Sequence, residues 1–267
     1  MHGNTNKNSV RLARYFIKKI VHFKATLLLA TLVVGLSSVA LFGVKSVKAA
    51  QASGANLPYS VLIVAGQSNA AGAQSLSVDP DNNIDVFGSQ TVQPADTQVQ
   101  MLFDNTFNND SMSRINPVPL NTPQRANADE AAIFGPEVGL SRRLYELGRR
   151  RIVILKVTVG AVPLAIDNST PFDWNVNSTN ESYQRLKDRA GKLFEDIEAQ
   201  GSKYSVDGFY WIQGESDSNN AFADLYEQNL RDLVAAAKTD FNMPDDAKFV
   251  IGQTDVTQNN GVIYDFA

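Results

Sequence analysis

Apolar residues in this chain fall into two kinds of pattern, and the two alternate along the sequence. One kind is a short unbroken run: Val61-Leu62-Ile63-Val64-Ala65, Ile152-Val153-Ile154-Leu155 continuing through Lys156 to Val159, Phe209-Tyr210-Trp211-Ile212, and Phe249-Val250-Ile251 within a strand expected over Lys248–Thr254. Such runs are too short and too uniformly apolar for surface helices and read as strands covered on both faces. The other kind is helical spacing. Val138, Leu140, Leu144 and Leu147 recur after Pro136 and Glu137, which suit a first helical turn, and Gly148 stops the pattern. Leu186, Leu193, Phe194 and Ile197 mark a helix over residues 183–199, and Leu225, Leu230, Leu233 and Val234 mark one over about 221–239. Strands alternating with helices predict an α/β fold, a three-layer flavodoxin-like arrangement with a mainly parallel sheet.

Between residues 71 and 132 the periodicity fades and Asn, Asp, Gln, Ser, Thr and Pro dominate. Long loops are expected there, with strands at 84–87 and 99–103. Loops of that length in a compact domain tend to carry function.

The first fifty residues stand apart. They hold Lys7, Arg11, Arg14, Lys18, Lys19, Lys24, Lys45 and Lys48 and no acidic residue, and most of these charges precede the apolar run 25–44. A basic segment, an apolar segment and then small residues (Val47-Lys48-Ala49 or Ala50-Gln51-Ala52) form the pattern of a secretory signal. The run is also long enough for an uncleaved membrane anchor. Either way the rest is expected outside the cytoplasm, secreted or anchored by residues 25–44. Residues 51–58 then serve as a linker and 59–267 as one domain.

Charge narrows the partners. Without those eight basic residues, 16 Lys and Arg face 28 Asp and Glu, a net charge of −12. An acidic surface gives no reason to expect nucleic acid or an anionic membrane, and suits a neutral substrate such as a polysaccharide. The chain has no cysteine, which excludes disulfides, thiolate catalysis and cysteine-ligated metals.

Candidate chemistry gathers at strand ends. The first strand finishes in Gly66-Gln67-Ser68-Asn69, the second in Thr158-Val159-Gly160 and the third in Gln213-Gly214-Glu215. Strands of a parallel sheet point one way, so these ends line a single edge, where open sheets place their ligands. A hydroxyl, a glycine N–H and a carboxamide in one place match acyl transfer. Ser68 attacks a carbonyl, and the Ser68 N–H, the Gly160 N–H and the Gln213 amide hold the oxyanion. The plainer reading makes Ser68 or Asn69 a helix cap. Gly66-Gln67-Ser68-Asn69-Ala70 is also close to the nucleophile elbow of α/β-hydrolases, but there several strands precede the serine and here only one does.

The blocks Gly66-Gln67-Ser68-Asn69, Phe134-Gly135-Pro136-Glu137, Lys156-Val157-Thr158-Val159-Gly160 and Trp211-Ile212-Gln213-Gly214-Glu215-Ser216-Asp217 resemble those of the sialate O-acetylesterase and acetylxylan esterase family of SGNH hydrolases. The resemblance spans about residues 60–254. It implies removal of O-acetyl groups from sugars without a metal or other cofactor, with Ser68 as nucleophile and Gly160 and Gln213 in the oxyanion hole. It also implies that Gln67, Asn69, Glu215 and Asp217 line the site.

One expected block is missing. The family's Asp-x-x-His supplies a general base and the residue that orients it. The two histidines here, His2 and His22, lie in the N-terminal segment, and neither Asp255 nor Asp265 is followed by one. A serine without a base is a poor nucleophile, and an exposed Glu215 or Asp217, with a pKa of about 4, is a weak substitute. The expectation is a C-terminally truncated esterase of strongly reduced activity; the alternative is a non-catalytic carbohydrate-binding relative. Trp174, in a polar loop, reads equally as a sugar platform or as packing, whereas Tyr210 and Trp211 read as core.

Overall fold

The computed structural model describes residues 57–252, apart from 74, 76, 80–83, 89–90, 106–113, 125–131, 170–171, 180 and 219–220. The N-terminal segment 1–50, most of the linker, and Gln253, Thr254, Asp255 and Asp265 lie outside the described residues. The apolar runs form β1 (Tyr59–Gly66), β6 (Ile152–Thr158), β7 (Tyr204–Ile212) and β8 (Lys248–Gly252). β4 (Gln100–Asn105) and β5 (Arg114–Pro119) complete a six-stranded sheet in the order β5-β4-β6-β1-β7-β8. Every neighbouring pair is parallel except β4 with β5. The short β2 (Val78–Asp79) and β3 (Ile84–Asp85) pair separately.

The helices are α1 (Ser68–Ala71), α2 (Pro94–Gln98), α3 (Pro136–Glu146), α4 (Ser182–Ala199) and α5 (Tyr226–Asp240). In α4 the buried Tyr183, Leu186, Ala190, Leu193 and Ile197 step by three and four, and in α5 Tyr226, Leu230, Leu233 and Ala237 do the same. Each helix thus turns one apolar stripe to the sheet. Alternation along the strands sorts the two faces. Val61, Ile63, Ala65, Val153, Leu155 and Val157 share a core with α4 and α5, while Leu62, Val64, Ile152 and Ile154 share another with Ala95 of α2 and Val138 of α3. A sheet covered on both sides by helices is the expected three-layer α/β class. Burying each large aliphatic side chain contributes about 1.5–3 kcal/mol.

Two periodic positions depart from expectation. Leu147 is 63% exposed because α3 ends at Glu146 and Leu147 caps it, off the apolar stripe. Leu225 is 51% exposed because it belongs to a tight 3-10 turn, Ala223–Leu225, whose spacing carries it away from the face that α5 buries. The sequence pattern also missed α2 and β5, which lie in the weakly periodic stretch.

Glycine positions give a paired prediction. A Cβ at Gly66, where φ is +138°, would lie 2.0 Å from the Ile212 carbonyl oxygen. A Cβ on Gly191, inside α4, would meet nothing within 4 Å. Thermal unfolding should show Gly191→Ala stabilised by about 0.4–1 kcal/mol, through a less flexible unfolded chain, and Gly66→Ala clearly destabilised.

Candidate active site

Ladder register sets the geometry of the sheet edge. Gly66 is paired with Thr158 on one side and Ile212 on the other, so β1, β6 and β7 finish at one level. Asn105 pairs with Thr158, which brings the end of β4 to the same line. Beyond that line the loops stay pinned: Gln67 N–H donates to the Ile212 carbonyl at 3.1 Å, and Val159 N–H donates to the Gly66 carbonyl at 3.0 Å. The segments carrying Ser68, Gly160 and Gln213 therefore leave three adjacent strands from one height.

Ser68 opens α1, a single turn that packs against the ends of β6 and β7. The serine is half-buried, and its hydroxyl makes no hydrogen bond among the described residues. It does not act as the helix cap, since Gln67 holds that position and makes no side-chain cap bond. Gly160 is half-buried too, and its N–H donates to no acceptor among the described residues. The next residue, Ala161, takes a left-handed φ of 56°, a conformation of the kind that concentrates where loops are held for function.

Gln213 is nearly enclosed, with 2% exposure. Its amide nitrogen donates to the Val162 carbonyl at 3.1 Å and to Asp217 at 2.6 Å. Both N–H groups are engaged, so a role as oxyanion donor requires one of these bonds to open. Both partners are acceptors, which fixes the orientation of the amide and leaves Oε1 buried without a donor. Gln67 is likewise buried, with Oε1 unpartnered.

Asp217 ties two loops together. Its carboxylate accepts from the N–H groups of Leu164 at 2.7 Å and Ala165 at 2.9 Å, besides Gln213. Burial pushes its carboxyl above the ordinary range, and these three donors pull the other way. Asn69 donates through its side chain to Glu215, which links α1 to the 3-10 turn Glu215–Asp217.

Trp174 settles the choice between platform and packing. It is fully buried, edge-on to Trp211 with ring centroids 5.2 Å apart. Trp211 in turn donates to Tyr226, whose hydroxyl donates to the Gln213 carbonyl at 2.7 Å. Both tryptophans thus support the site from inside.

Below α1 lies a buried polar group. Lys156, in the middle of β6, is fully buried; its Nζ lies 3.0 Å from Glu137 Oε2 and donates to Gln124 Oε1 at 2.8 Å and to the Ala71 carbonyl at 2.9 Å. Glu137 Oε1 accepts from the Gln124 amide at 2.8 Å and the Gly135 N–H at 2.9 Å. Burial pulls the Lys156 ammonium below its usual range, and Glu137 opposes this. The sequence signal was one charged residue inside an otherwise apolar strand. Among the described residues no cluster of His, Cys, Asp and Glu is arranged to hold a metal ion.

Comparison with known proteins adds a lineage to this geometry. A family profile described as carbohydrate esterase, sialic acid-specific acetylesterase, matches residues 58–263. Among solved structures, NanS superposes with a TM-score of 0.52 at 19% identity, covering 74% of this chain and 68% of its own. A protein from Arabidopsis thaliana superposes at 0.49, with 19% identity over 73% of this chain and 74% of that one. A carbohydrate acetylesterase from Xanthomonas citri superposes at 0.43, with 16% identity over 72% of this chain and 40% of that one. The comparison with curated proteins found no match. At such identities the likeness to NanS speaks for the fold, and the profile speaks for the family.

Proposed function

The chain belongs to the sialic acid-specific acetylesterase family of carbohydrate esterases, and from that premise we propose that Ser68 is the nucleophile of a carbohydrate O-acetylesterase. The Ser68 oxygen bonds to the acetyl carbon, and the carbonyl becomes an oxyanion facing the N–H groups of Ser68 and Gly160. As the carbonyl re-forms, its bond to the sugar oxygen breaks and that oxygen takes up the proton Ser68 has lost; water then cleaves the acetyl-serine to acetate and returns the Ser68 hydroxyl. Gln213 joins the oxyanion donors if it releases Val162 or Asp217; otherwise it braces the loop that carries Gly160. Gln67, Asn69, Glu215 and Asp217 shape the site around them. The observation that carries this reading is the shared level of three strand ends, from which leave a Ser68 hydroxyl and a Gly160 N–H that engage no partner among the described residues.

Proton removal from Ser68 is the weak step, because no histidine follows residue 22. The chain as it stands is therefore proposed to be strongly impaired, and an added base should restore part of the rate. Hydrolysis of 4-nitrophenyl acetate should be slow alone and should rise with added imidazole well beyond the imidazole-only rate. Ser68→Ala should remove that rise. Full rates without imidazole, or a rise that survives Ser68→Ala, would sink the reading.

The missing base also favours a second function, binding acetylated glycan without cleaving it. That reading predicts saturable binding that survives Ser68→Ala, with no acetate released even in imidazole. The basic and apolar N-terminal pattern supports placement outside the cytoplasm. Fractionation of cells expressing the full chain tests this, and retention in the cytoplasm would exclude it.

A further inference from the structure

We propose that the buried Lys156–Glu137 pair positions Ser68, acting through the carbonyl of Ala71. This inference rests on Ser68 being the nucleophile. Three observations lead to it. First, the pair is expensive. A fully enclosed lysine and glutamate lose their hydration, and apolar residues of similar volume often serve stability as well or better. A buried pair that joins a parallel strand to the first turn of a helix therefore calls for a reason other than stability.

Second, the ammonium makes two hydrogen bonds besides its ion pair with Glu137, and one of the two goes to backbone. Gln124 accepts one of them and itself donates to Glu137, while the other goes to the carbonyl of Ala71, the last residue of α1. That helix is one turn long, and a single turn is unfavourable without outside support. Inside the turn, the N–H groups of Gly72 and Ala73 already cap the Ser68 carbonyl, and that of Gly72 also reaches Asn69. The Ala71 carbonyl is held by Lys156 instead, where a positive charge suits a helix C-terminus.

Third, the fit leaves no slack. A Cβ on Gly72 would lie 1.8 Å from the Phe134 carbonyl oxygen. One on Gly135 would lie 2.6 Å from Glu137 Oε2, and 2.8 Å from both the Ala70 carbonyl oxygen and Lys156 Nζ. The turn that brings in Glu137 is thus pressed against the end of α1. Neither Lys156 nor Glu137 reaches solvent, so neither touches substrate. Their effect on the reaction passes through the placement of Ser68, where an error of about 1 Å costs on the order of 100-fold in rate.

The test compares the parent chain with Lys156→Met/Glu137→Gln, which removes the bond to Ala71 without stranding a carboxylate. Glu137→Asp, which keeps both charges but draws the carboxylate back from Nζ, is the second arm if the double variant does not fold. The readouts are kcat and KM for imidazole-assisted hydrolysis of 4-nitrophenyl acetate, and hydrogen exchange of the backbone over residues 67–73. The double variant should lose at least tenfold in kcat with KM held within twofold, and Glu137→Asp should lose less, with the same split. An unchanged kcat in a folded variant, or a loss confined to KM, overturns the inference whatever the exchange shows. If the parent shows no hydrolysis that depends on Ser68, the esterase reading is what has failed, and exchange alone decides the rest. Faster exchange at 67–73 with β4 unchanged then upholds the hold on α1, and no local change overturns it.

Discussion

Lys156→Met alone should lower the free energy of unfolding by about 3–5 kcal/mol, because it leaves the Glu137 carboxylate enclosed without its counter-charge. Gln124 and Gly135 still donate to one carboxylate oxygen, but the other faces the new methionine. For a domain of this size that corresponds to a fall in Tm of roughly 6–20 °C. Adding Glu137→Gln should return much of the loss, since an amide can be buried more cheaply than an unpaired charge. Urea titrations of the two single variants and the double variant give the coupling directly. If Lys156→Met unfolds at the parent's urea concentration, the carboxylate is reaching water and the enclosed pair described above is wrong.

Asp217→Ala should be the most disruptive change on the rim of the site, at about 3 kcal/mol. It strands the N–H groups of Leu164 and Ala165 and one N–H of Gln213 in a buried setting, and each unmet donor costs about 1–3 kcal/mol before relaxation. Asp217→Asn should not rescue it, because an amide turns an NH2 toward at least one of those donors. Limited proteolysis should then cut within 161–169, the stretch the carboxylate holds, before any other part of the sheet layer. The same group gives a pH test. Burial raises its carboxyl above the ordinary value of about 4. Folding therefore takes up a proton between the ordinary value and the raised one. The stability linked to Asp217 is fully present below that interval and is lost as pH rises through it. Asp217→Ala should flatten that part of the curve of stability against pH; a curve parallel to the parent's would mean the carboxyl titrates normally.

How much of the site was legible beforehand depends on the kind of signal. Gly66, Ser68, Gly160 and Gln213 could be placed on one edge from sequence, because a parallel sheet forces strand ends together and each residue ends a strand or lies within two positions of its end. That Gln213 spends both of its N–H groups on Val162 and Asp217 could not, because the bond to Val162 reaches a loop 51 residues away, and the carboxylate four residues on is aimed by that same loop. Trp174 shows the same limit. It sits in a polar stretch, and only the packing of that stretch over β7 turns the ring inward against Trp211. Lys156 and Glu137 were visible as a charge in an apolar strand and an acid in a first helical turn. Neither pattern says that they meet.

By itself the sequence determined the alternation of strands and helices, the apolar stripes of α4 and α5, the acidic balance of residues 51–267 and the absence of a histidine after residue 22. Each of these is set by spacing or by composition, and neighbours along the chain are enough to read it. Only the tertiary structure decided which strands lie next to β1, which carbonyl the buried ammonium holds, and which side chains at the sheet edge have hydrogen bonds left to give. Those outcomes depend on register between segments far apart in sequence. Register is fixed by the fit of whole faces rather than by any local run of residues.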